Sequence, residues 1–311
     1  MIFQTVFANA KINLGLRISA RYADGYHRLE SLFYPVNIFD TISIRSAPQG
    51  NDSITFEIPP TKALNFKRDL LCSRFMYRVL ELARVLAAAR GQKIPALAVH
   101  VQKRIPSPSG LGGASSDAAA IMGAILSPPY TSNEISRIEA LGADIPYFLQ
   151  HGHKGEAAWL SGRGKELKTL DAPQLHGWVL CPDFGFSTRA MYAEVSRWDL
   201  TMNLTLRPEE IVDFISSKAG HDWRVLPNDF EKAAEALFPE AFERLQVALA
   251  VCEYTLETFS RLPWTAGMTG SGSALYVLTP CDSALERVDF RAAHAVLVSR
   301  LKSLGFQVFK V

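Results

Sequence analysis

The sequence contains little cysteine: Cys72, Cys181, Cys252 and Cys281 are its four cysteines, and no two of them form a CxxC pair. Such isolated positions exclude a disulfide framework and a cysteine-based zinc site, and they predict reduced thiols that pack separately. Long apolar runs are missing too, since none approaches the ~18 residues that a membrane-spanning helix needs. These absences argue against a disulfide-stabilised secreted protein and a membrane protein, and we expect a bacterial-type cytoplasmic location.

An excess of charge of one sign is also missing. The 33 lysines and arginines nearly balance the 31 aspartates and glutamates, which leaves a formal net charge of +2. That charge is too small for a general nucleic-acid binder, whose field must attract phosphates. The short basic pairs Lys67-Arg68 and Lys103-Arg104 are therefore interpreted as solvated faces. We expect neither a nucleic-acid partner nor a membrane partner.

Length and composition indicate an ordinary globular protein. The 311 residues are 48% hydrophobic and 21% charged, close to the averages of about 45–50% and about 25%. At roughly 150 residues per domain the chain holds about two domains, and the second is expected to begin near Trp159. Met1–Phe7 is mostly apolar but lacks a basic segment, so it does not match a secretory signal.

Alternating polarity predicts a strand near the start of the chain. Between Ala10 and Ser19 every second residue is apolar or small, and the intervening polar face carries Lys11 and Asn13 side by side. Period two is typical of a half-buried strand. Strand and helix patterns are intermixed in both halves, which predicts an α+β protein with two layers in each half.

The remaining elements follow from periodicity, capping residues and turn residues. Further strands are predicted at 32–36, 41–45, 53–58, 96–101, 177–181, 274–278 and 307–311. Helices are predicted at 69–91, 117–126, 131–141, 208–218, 230–237, 240–258 and 292–304. Thr131 and Glu134 form a capping box, and Gly142 and Pro146 are expected to leave Asp144 in an extended segment.

A run of small residues between a predicted strand and a predicted helix is the strongest functional signal. Gly110, Gly112 and Gly113 remove side chains, so that backbone N–H groups can approach a ligand at the positive end of the following helix. Ser115 and Ser116 add hydroxyl groups, one of which could also reach a metal ion. The pattern predicts a polyphosphate-binding loop, with a flexible connector as the alternative. It matches neither the Walker A loop nor the GxGxxG fingerprint.

Other candidate residues carry weaker signals. A second glycine-rich stretch, Met268–Ser273, alone predicts a tight turn, but two such loops in the two halves favour a binding cleft between domains. Taken singly, Lys11 is interpreted as a solvated lysine and Asp144 as a turn residue. His151 and His153 are spaced like a metal pair, but without a nearby carboxylate or cysteine they are interpreted as loop residues.

Several stretches spread over nearly the whole chain resemble the GHMP kinase superfamily. They are 10–14 with 24–27 and 32–33, 109–119, 142–148, 187–188 with 192, 227–231 and 268–273. The pairing of AKINL at 10–14 with DGYH at 24–27 resembles one branch of the superfamily. That branch acts on a cytidine-diphosphate-linked polyol in the non-mevalonate isoprenoid pathway. The resemblance implies a GHMP-kinase-like two-domain fold with a cleft between the domains. An N-terminal β-α-β nucleotide-binding domain would span 1–158, and a C-terminal ferredoxin-like α/β sandwich would span 159–311.

The resemblance also implies a reaction, ATP-dependent phosphorylation of the 2-hydroxyl of that polyol. Asp144 would accept the proton of the hydroxyl group, and Lys11 would keep the carboxylate ionised and balance charge at the transferring phosphoryl group. The ATP phosphates, bridged by Mg²⁺, would be held by one continuous segment. Its residues are Pro106, Ser107, Pro108, Ser109, Gly110, Leu111, Gly112, Gly113, Ala114, Ser115 and Ser116.

The same resemblance implies a set of substrate-binding residues. They are Asn13, Tyr26, His27, Thr188, Tyr192, Ser271 and Gly272. Tyr26 and Tyr192 would sandwich the cytosine ring, with His27 hydrogen-bonding to its edge. Ser271 and Gly272 would face the diphosphate, and Asn13 would help to position the substrate.

Two other functions stay open from the sequence. A homoserine or mevalonate kinase would share the phosphate loop, but it should lack the 24–27 motif, because its substrate has no nucleobase. A non-catalytic relative acting as a binding module should have lost Lys11 or Asp144, and both are present. The chain departs from the family pattern at Asp69, Pro108, Ser109 and Ala114, and in the lengths of 117–144 and of the stretch after Phe148. Pro108 cannot donate an N–H and Ala114 resists positive φ, so altered ATP affinity is expected. Asp69 stands where an adenine-binding amide is usual. The protein is expected to be a monomer or homodimer.

Overall fold

The computed structural model describes residues 3–23, 27–47, 50–59, 66–162, 166–198, 207–216, 223–259, 263–280 and 288–311. The chain forms two compact units. Unit 1 comprises Met1–Lys11, Pro35–Pro106 and Gly112–Glu156, and unit 2 comprises Ile12–Tyr34, Ser107–Leu111 and Ala157–Val311. Two long paired strands, β1 (Phe3–Arg21) and β2 (His27–Ser46), each contribute residues to both units. The domain boundary expected between residues 158 and 159 stays a prediction.

The strands of unit 1 pair around β4 (Leu97–Gln102). This strand is parallel to β3 (Ser53–Glu57) and antiparallel to the Thr41–Ser46 part of β2. In β2 alternate side chains are buried, among them those of Ile42 and Ile44. The predicted segments 32–36 and 41–45 are one continuous strand, because no glycine or proline turn lies between them that would break it.

Unit 1 also contains helices. They are α1 (Phe66–Ala89), α2 (Gly113–Ile125), α3 (Ser132–Glu139) and α4 (Ile145–Gln150), and α2 packs against both α1 and α4. Helix α1 precedes the phosphate loop, and α2 begins within it. The capping box predicted at α3 is confirmed, since the Thr131 side chain accepts from Glu134 N and the Glu134 carboxylate accepts from Thr131 N. Helix α2 begins at Gly113 rather than at Asp117, so Ala114, Ser115 and Ser116 are helical.

The prediction that Asp144 lies in an extended segment is wrong. Asp144 has φ −83° and ψ −13° and stands at the N-cap position of α4. Pro146 lies in the first turn of that helix, where its missing N–H costs no intrahelical hydrogen bond. The proline therefore starts a helix here instead of ending one.

Unit 2 contains a sheet whose strands lie side by side in the order β11 (Phe306–Lys310), β7 (His176–Pro182), β10 (Leu275–Thr279), β9 (Trp264–Met268) and β8 (Trp223–Val225). All its pairs are antiparallel except β8–β9. The predictions at 177–181, 274–278 and 307–311 are confirmed within a residue. In addition, β5 (Ala158–Ser161) pairs with the Ser31–Phe33 part of β2 and with β6 (Glu166–Thr169).

Helices complete the core of unit 2. They are α5 (Thr188–Val195), α6 (Pro208–Ser216), α7 (Phe230–Leu237), α8 (Pro239–Phe259) and α9 (Val288–Ser303). Buried side chains of the sheet and helices form one hydrophobic cluster, which includes Trp178, Phe230, Cys252, Leu275 and Leu297. Helix α7 has the predicted bounds.

The expectation of separately packed thiols is met where the structure describes the cysteines. Cys181 and Cys252 are buried and form no disulfide with another described residue, whereas Cys281 and the side chain of Cys72 lie outside the described residues. Among the described helices, none combines the length and apolar character that crossing a membrane requires.

Candidate active site

Lys11 and Asp144 form a pair in unit 1. Lys11 Nζ lies 3.6 Å from Asp144 Oδ2, and the two side chains are 4% and 31% exposed. The single-residue interpretation of Lys11 as a solvated lysine is therefore wrong. Burial lowers the pKa of Lys11 below its usual range, and the neighbouring Asp144 carboxylate opposes that shift. The pair thus holds a cation beside a carboxylate that retains access to water.

Both faces of β1 are buried around Lys11, so the alternation of polar and apolar residues wrongly predicted that one face is solvated. The apolar residues Ala10 and Ile12 are fully buried, as expected, but Lys11 and Asn13 on the other face are buried as well. A strand with one solvated face would leave such side chains in water. Buried polar residues at this position mark a place built for polar chemistry rather than for packing.

Gly112 brings the start of α2 close to this pair. It has φ +74°, and a Cβ added there would lie 3.0 Å from Phe148 Cζ and 3.2 Å from Lys11 Cε. Only glycine fits such a left-handed position without strain. The N-terminal turn of α2, whose N–H groups attract anions, therefore begins next to the Lys11 side chain. Ser116 in that turn donates its hydroxyl hydrogen to Asn9 O at 2.6 Å.

The departure at Ala114 has no conformational cost. Ala114 lies in α2, and among the described residues positive φ occurs only at glycines, including Gly110 and Gly112. The expectation that Ala114 resists a required positive φ is therefore wrong.

The part of the phosphate loop in unit 2 contacts the second glycine-rich stretch, Met268–Ser273. Gly110 has φ +80°, and a Cβ added there would lie 2.1 Å from Thr269 O. Ala274 N donates to Ser109 O at 3.0 Å. The two loops thus touch backbone to backbone, which explains why both are rich in glycine.

Three predicted substrate residues lie at the same stretch of unit 2. Asn13 N donates to Thr269 Oγ1 at 2.8 Å, and Asn13 Nδ2 donates to Ser31 Oγ at 2.8 Å. The hydroxyl oxygens of Thr188 and Ser271 are 2.8 Å apart. Asn13, Thr188 and Ser271, which are far apart in sequence, are therefore held around one loop.

His27 and Tyr192 form an aromatic pair elsewhere in unit 2. Their ring centroids are 5.8 Å apart with an interplanar angle of 27°, and Ser196 Oγ lies 3.4 Å from His27 Nε2. The Tyr192 ring also meets Phe230 edge-on at 4.9 Å. Asp24, Gly25 and Tyr26 lie outside the described residues. Tyr26 is the residue predicted to form the second face of the sandwich.

An ion-paired cluster before the phosphate loop escaped the sequence analysis. Lys103 Nζ pairs with Asp40 and with Asp117, the latter at 2.6 Å. Asp40 also accepts the N–H groups of Ile105, at 2.8 Å, and of Arg104. Burial raises the pKa of Asp117 to about 7, an effect that Lys103 opposes and Asp40 reinforces. These contacts tie the end of β4 to β2 and α2.

Lys103 therefore does not lie on a solvated face, although Arg104 is exposed as expected. A signal was available in the sequence. Asp40 stands in register with Ile38 and Ile42 on the buried face of an alternating strand, and a buried carboxylate requires a cation.

A carboxylate lies beside His151 of the predicted histidine pair. His151 Nδ1 lies 3.3 Å from Glu156 Oε2, a carboxylate that the sequence analysis overlooked. Within the described ranges, no three His, Cys, Asp or Glu side chains are grouped as metal ligands. The side chain of His153 lies outside those ranges.

Comparison with known proteins agrees with this fold. Residues 75–152 match the GHMP kinases N terminal domain. A crystal structure of 4-(cytidine 5′-diphospho)-2C-methyl-D-erythritol kinase aligns with a TM-score of 0.67 and 26% identity, covering 99% of this chain and 98% of that one. Mevalonate kinase from Methanococcus jannaschii shares the fold, with a TM-score of 0.59 and 12% identity over 99% and 98% of the two chains. The chain is thus an ATP-dependent small-molecule kinase with the two-domain GHMP fold.

Proteins that are similar in sequence show to which family of these kinases the chain belongs. A 4-diphosphocytidyl-2-C-methyl-D-erythritol kinase from Polaromonas sp. is 32% identical over 289 residues, which cover 90% of this chain and 85% of the relative. The enzyme of that name from Porphyromonas gingivalis is 32% identical over 279 residues, or 88% and 91% of the two chains. The chain belongs to the 4-diphosphocytidyl-2-C-methyl-D-erythritol kinase family.

Proposed function

We propose that this chain transfers the γ-phosphoryl group of ATP to the 2-hydroxyl of 4-diphosphocytidyl-2-C-methyl-D-erythritol, in the non-mevalonate isoprenoid pathway. One observation carries the proposal: the buried Lys11 pairs with Asp144 beside Gly112 at the start of α2. An acid–base pair next to an anion-binding helix terminus supplies what phosphoryl transfer to an alcohol requires. The substrate in the names of the two relatives agrees with this chemistry.

Asp144 acts as the proton acceptor. A polyol hydroxyl is a poor acid, so a carboxylate assists only when it is ionised and aimed at the hydroxyl group. Lys11 Nζ, 3.6 Å from Asp144 Oδ2, balances negative charge that develops on the phosphoryl oxygens. The proton of the hydroxyl passes to Asp144 as the new oxygen–phosphorus bond forms and the bond to ADP breaks.

The ATP phosphates bind along residues 106–116. Backbone N–H groups at the start of α2 donate to phosphate oxygens, and Gly112 lets the phosphates approach without a side chain in the way. The family chemistry implies Mg²⁺, which prefers oxygen ligands and retains substrate phosphates among them. Ser116 fits this role, because its hydrogen is given to Asn9 O and its lone pairs remain. Held there, Mg²⁺ would neutralise phosphate charge.

The cytidine and diphosphate of the substrate bind residues of unit 2. His27 and Tyr192 contact the cytosine, with Tyr26 on its second face, and Asn13 and Thr188 help to position the substrate. Ser271 and Gly272 contact the diphosphate. The paired hydroxyl groups of Thr188 and Ser271 and the stacked rings of His27 and Tyr192 support these assignments. We further propose a bacterial cytoplasmic location and a monomer or homodimer.

The test is a coupled ADP-release assay on the purified chain. Three acceptors are compared at equal concentration: the cytidyl substrate, homoserine and mevalonate. Turnover of the cytidyl substrate alone is expected, and an Asp144→Asn preparation corrects for contaminating kinases. Turnover of homoserine or mevalonate without the cytidyl substrate would contradict the proposal. No ADP release with any of the three acceptors would favour the alternative of a non-catalytic binding module.

A further inference from the structure

Asn228 contacts the second glycine-rich stretch, Met268–Ser273, through its side chain, and the function proposed above gives it no role. The side chain is 5% exposed. Its Nδ2 donates one hydrogen to Met268 O at 2.7 Å and the other to Gly270 O at 2.9 Å. Its Oδ1 accepts from Phe230 N at 3.0 Å. Both amide hydrogens are therefore directed at carbonyl groups of this stretch.

The backbone around Asn228 is anchored on two sides. Leu16 N on β1 donates to Pro227 O at 2.8 Å, and Asp229 N donates to Leu16 O at 3.0 Å. On the other side Leu226 N donates to Ala266 O of β9 at 3.0 Å. Asn228 is thus a rigid anchor, since its own position is set by two strands.

In this stretch the carbonyl groups of residues 268–270 accept hydrogen bonds, whereas two successive amide groups donate none within the described chain. Met268 O and Gly270 O accept from Asn228, and Thr269 O accepts from Gly272 N at 3.0 Å. The amides of Gly270 and Ser271 are in buried residues, yet within the described chain neither finds an acceptor. Buried amides are almost always paired. Successive unpaired N–H groups in a turn with positive φ form an anion-binding nest, and Gly270 has φ +57°.

We infer that Asn228 is a positioning residue for the substrate diphosphate. By holding the carbonyl groups of Met268 and Gly270, it leaves the N–H groups of Gly270 and Ser271 free to donate to the diphosphate oxygens. An aspartate of the same shape would repel both carbonyl oxygens, and the peptide groups could then turn away. This inference rests on the proposed function, because it needs a diphosphate at this stretch.

The test compares two probes that differ only in the diphosphate. Binding of cytidine 5′-diphosphate and of cytidine to the full chain is measured by calorimetric titration or competition, for the wild type and for Asn228→Asp. We expect Asn228→Asp to weaken binding of the diphosphate at least about tenfold, as hydrogen bonds to a charged group are lost. Affinity for cytidine should change less than about twofold. Asn228→Ala removes the donors without adding charge. It should show the same selective loss of affinity for the diphosphate, and it provides the test if Asn228→Asp does not fold.

Asp229→Asn is the matched control, an isosteric change at the next position. Asp229 holds Arg17 Nη1 at 2.6 Å and Ile18 N at 2.7 Å on β1. The control should lower the melting temperature and keep the ratio of the two affinities. The inference would be overturned if the Asn228 variants lost affinity for both probes equally, or if the control changed the ratio of the two affinities in the same way. Either result would leave the proposed function intact. A wild-type chain that binds neither probe would overturn the proposed function and the inference with it.

Discussion

Lys11 Nζ lies 3.6 Å from Asp144 Oδ2, and the two residues come from β1 and from the start of α4. Lys11 is buried and Asp144 is partly exposed. The ammonium group therefore depends on Asp144 for compensation of its charge, while the carboxylate can still meet a substrate.

Asp144→Asn keeps the shape of the side chain and removes the base. We expect kcat to fall at least about 10²-fold, because general-base catalysis contributes roughly 10²–10⁴-fold, with the KM for ATP little changed. Steady-state kinetics with both substrates measures this. A loss below tenfold would mean that Asp144 positions the hydroxyl group without accepting its proton.

Lys11→Met removes the ammonium group and keeps an unbranched chain. We expect a comparable loss of kcat. The double variant with Asp144→Asn should be no worse than the poorer single variant, because residues that act as a unit are non-additive. Multiplicative losses in the double variant would show that the two groups act separately.

Gly112→Ala tests the close approach of α2 to Lys11. The added Cβ meets Phe148 and Lys11 at 3.0–3.2 Å, and φ is +74°. A left-handed alanine costs about 1–2 kcal/mol, so we expect lower stability and a raised KM for ATP. Gly123→Ala in the same helix is the control, since the nearest atom is 3.7 Å away. It should stabilise the chain by roughly 0.5–1 kcal/mol with unchanged kinetics. A normal KM for ATP in Gly112→Ala would place the phosphates elsewhere.

Tyr192→Ala removes one ring of the pair with His27. Stacking of a base on an aromatic side chain is worth roughly 1–3 kcal/mol. The KM for the cytidyl substrate should therefore rise about tenfold or more, with the KM for ATP nearly unchanged. Tyr192→Phe keeps the ring and should retain most of the affinity. If both KM values rose together, the ring would serve packing against Phe230.

The two carboxylates around Lys103 should differ in their importance for stability. Asp40 is fully buried and accepts two backbone N–H groups besides Lys103. Asp40→Asn should cost about 3–5 kcal/mol, as for other broken buried ion pairs. Asp117 has one carboxylate oxygen without a partner among the described residues and a pKa raised to about 7. Asp117→Asn should therefore cost much less. Urea unfolding at pH 7 compares them, and equal losses would contradict this ranking.

Glu231 makes the stability of the chain depend on pH. Burial raises its pKa to about 7 from 4.5, although the hydrogen bond from Met268 N opposes the shift. The folded chain binds this proton more tightly than the unfolded chain, so the free energy of unfolding falls as pH rises from about 4.5 to about 7. Glu231→Gln should make this fall smaller and leave the part that Asp117 contributes through its own raised pKa of about 7, whereas Glu235→Gln, at an exposed position of α7, should leave the fall unchanged. Unfolding at several pH values measures both slopes, and parallel slopes for the Glu231 variant and the wild type would refute the assignment.

Sequence reasoning succeeded where the signal is local. Helix α7 has its predicted bounds and α3 has its predicted capping box, because periodicity and capping depend on residues within one or two turns. It failed at β9, whose five residues are all buried. A short strand buried on both faces has no alternation to detect. The sequence analysis interprets Pro146 as the end of a helix. In the structure Pro146 lies in the first turn of α4, a position that accepts proline.

The sequence by itself determined the strand that carries Lys11 and Asn13, the glycines of both loops and the family resemblance. Only the tertiary structure decided that Lys11 is buried against Asp144 and that Tyr192 stacks on His27. It also decided that Lys103 is ion-paired with Asp40 and Asp117. The physical reason is that backbone preferences act between near neighbours in the chain. Desolvation, ion pairing and ring stacking instead depend on groups that come together only when distant segments pack.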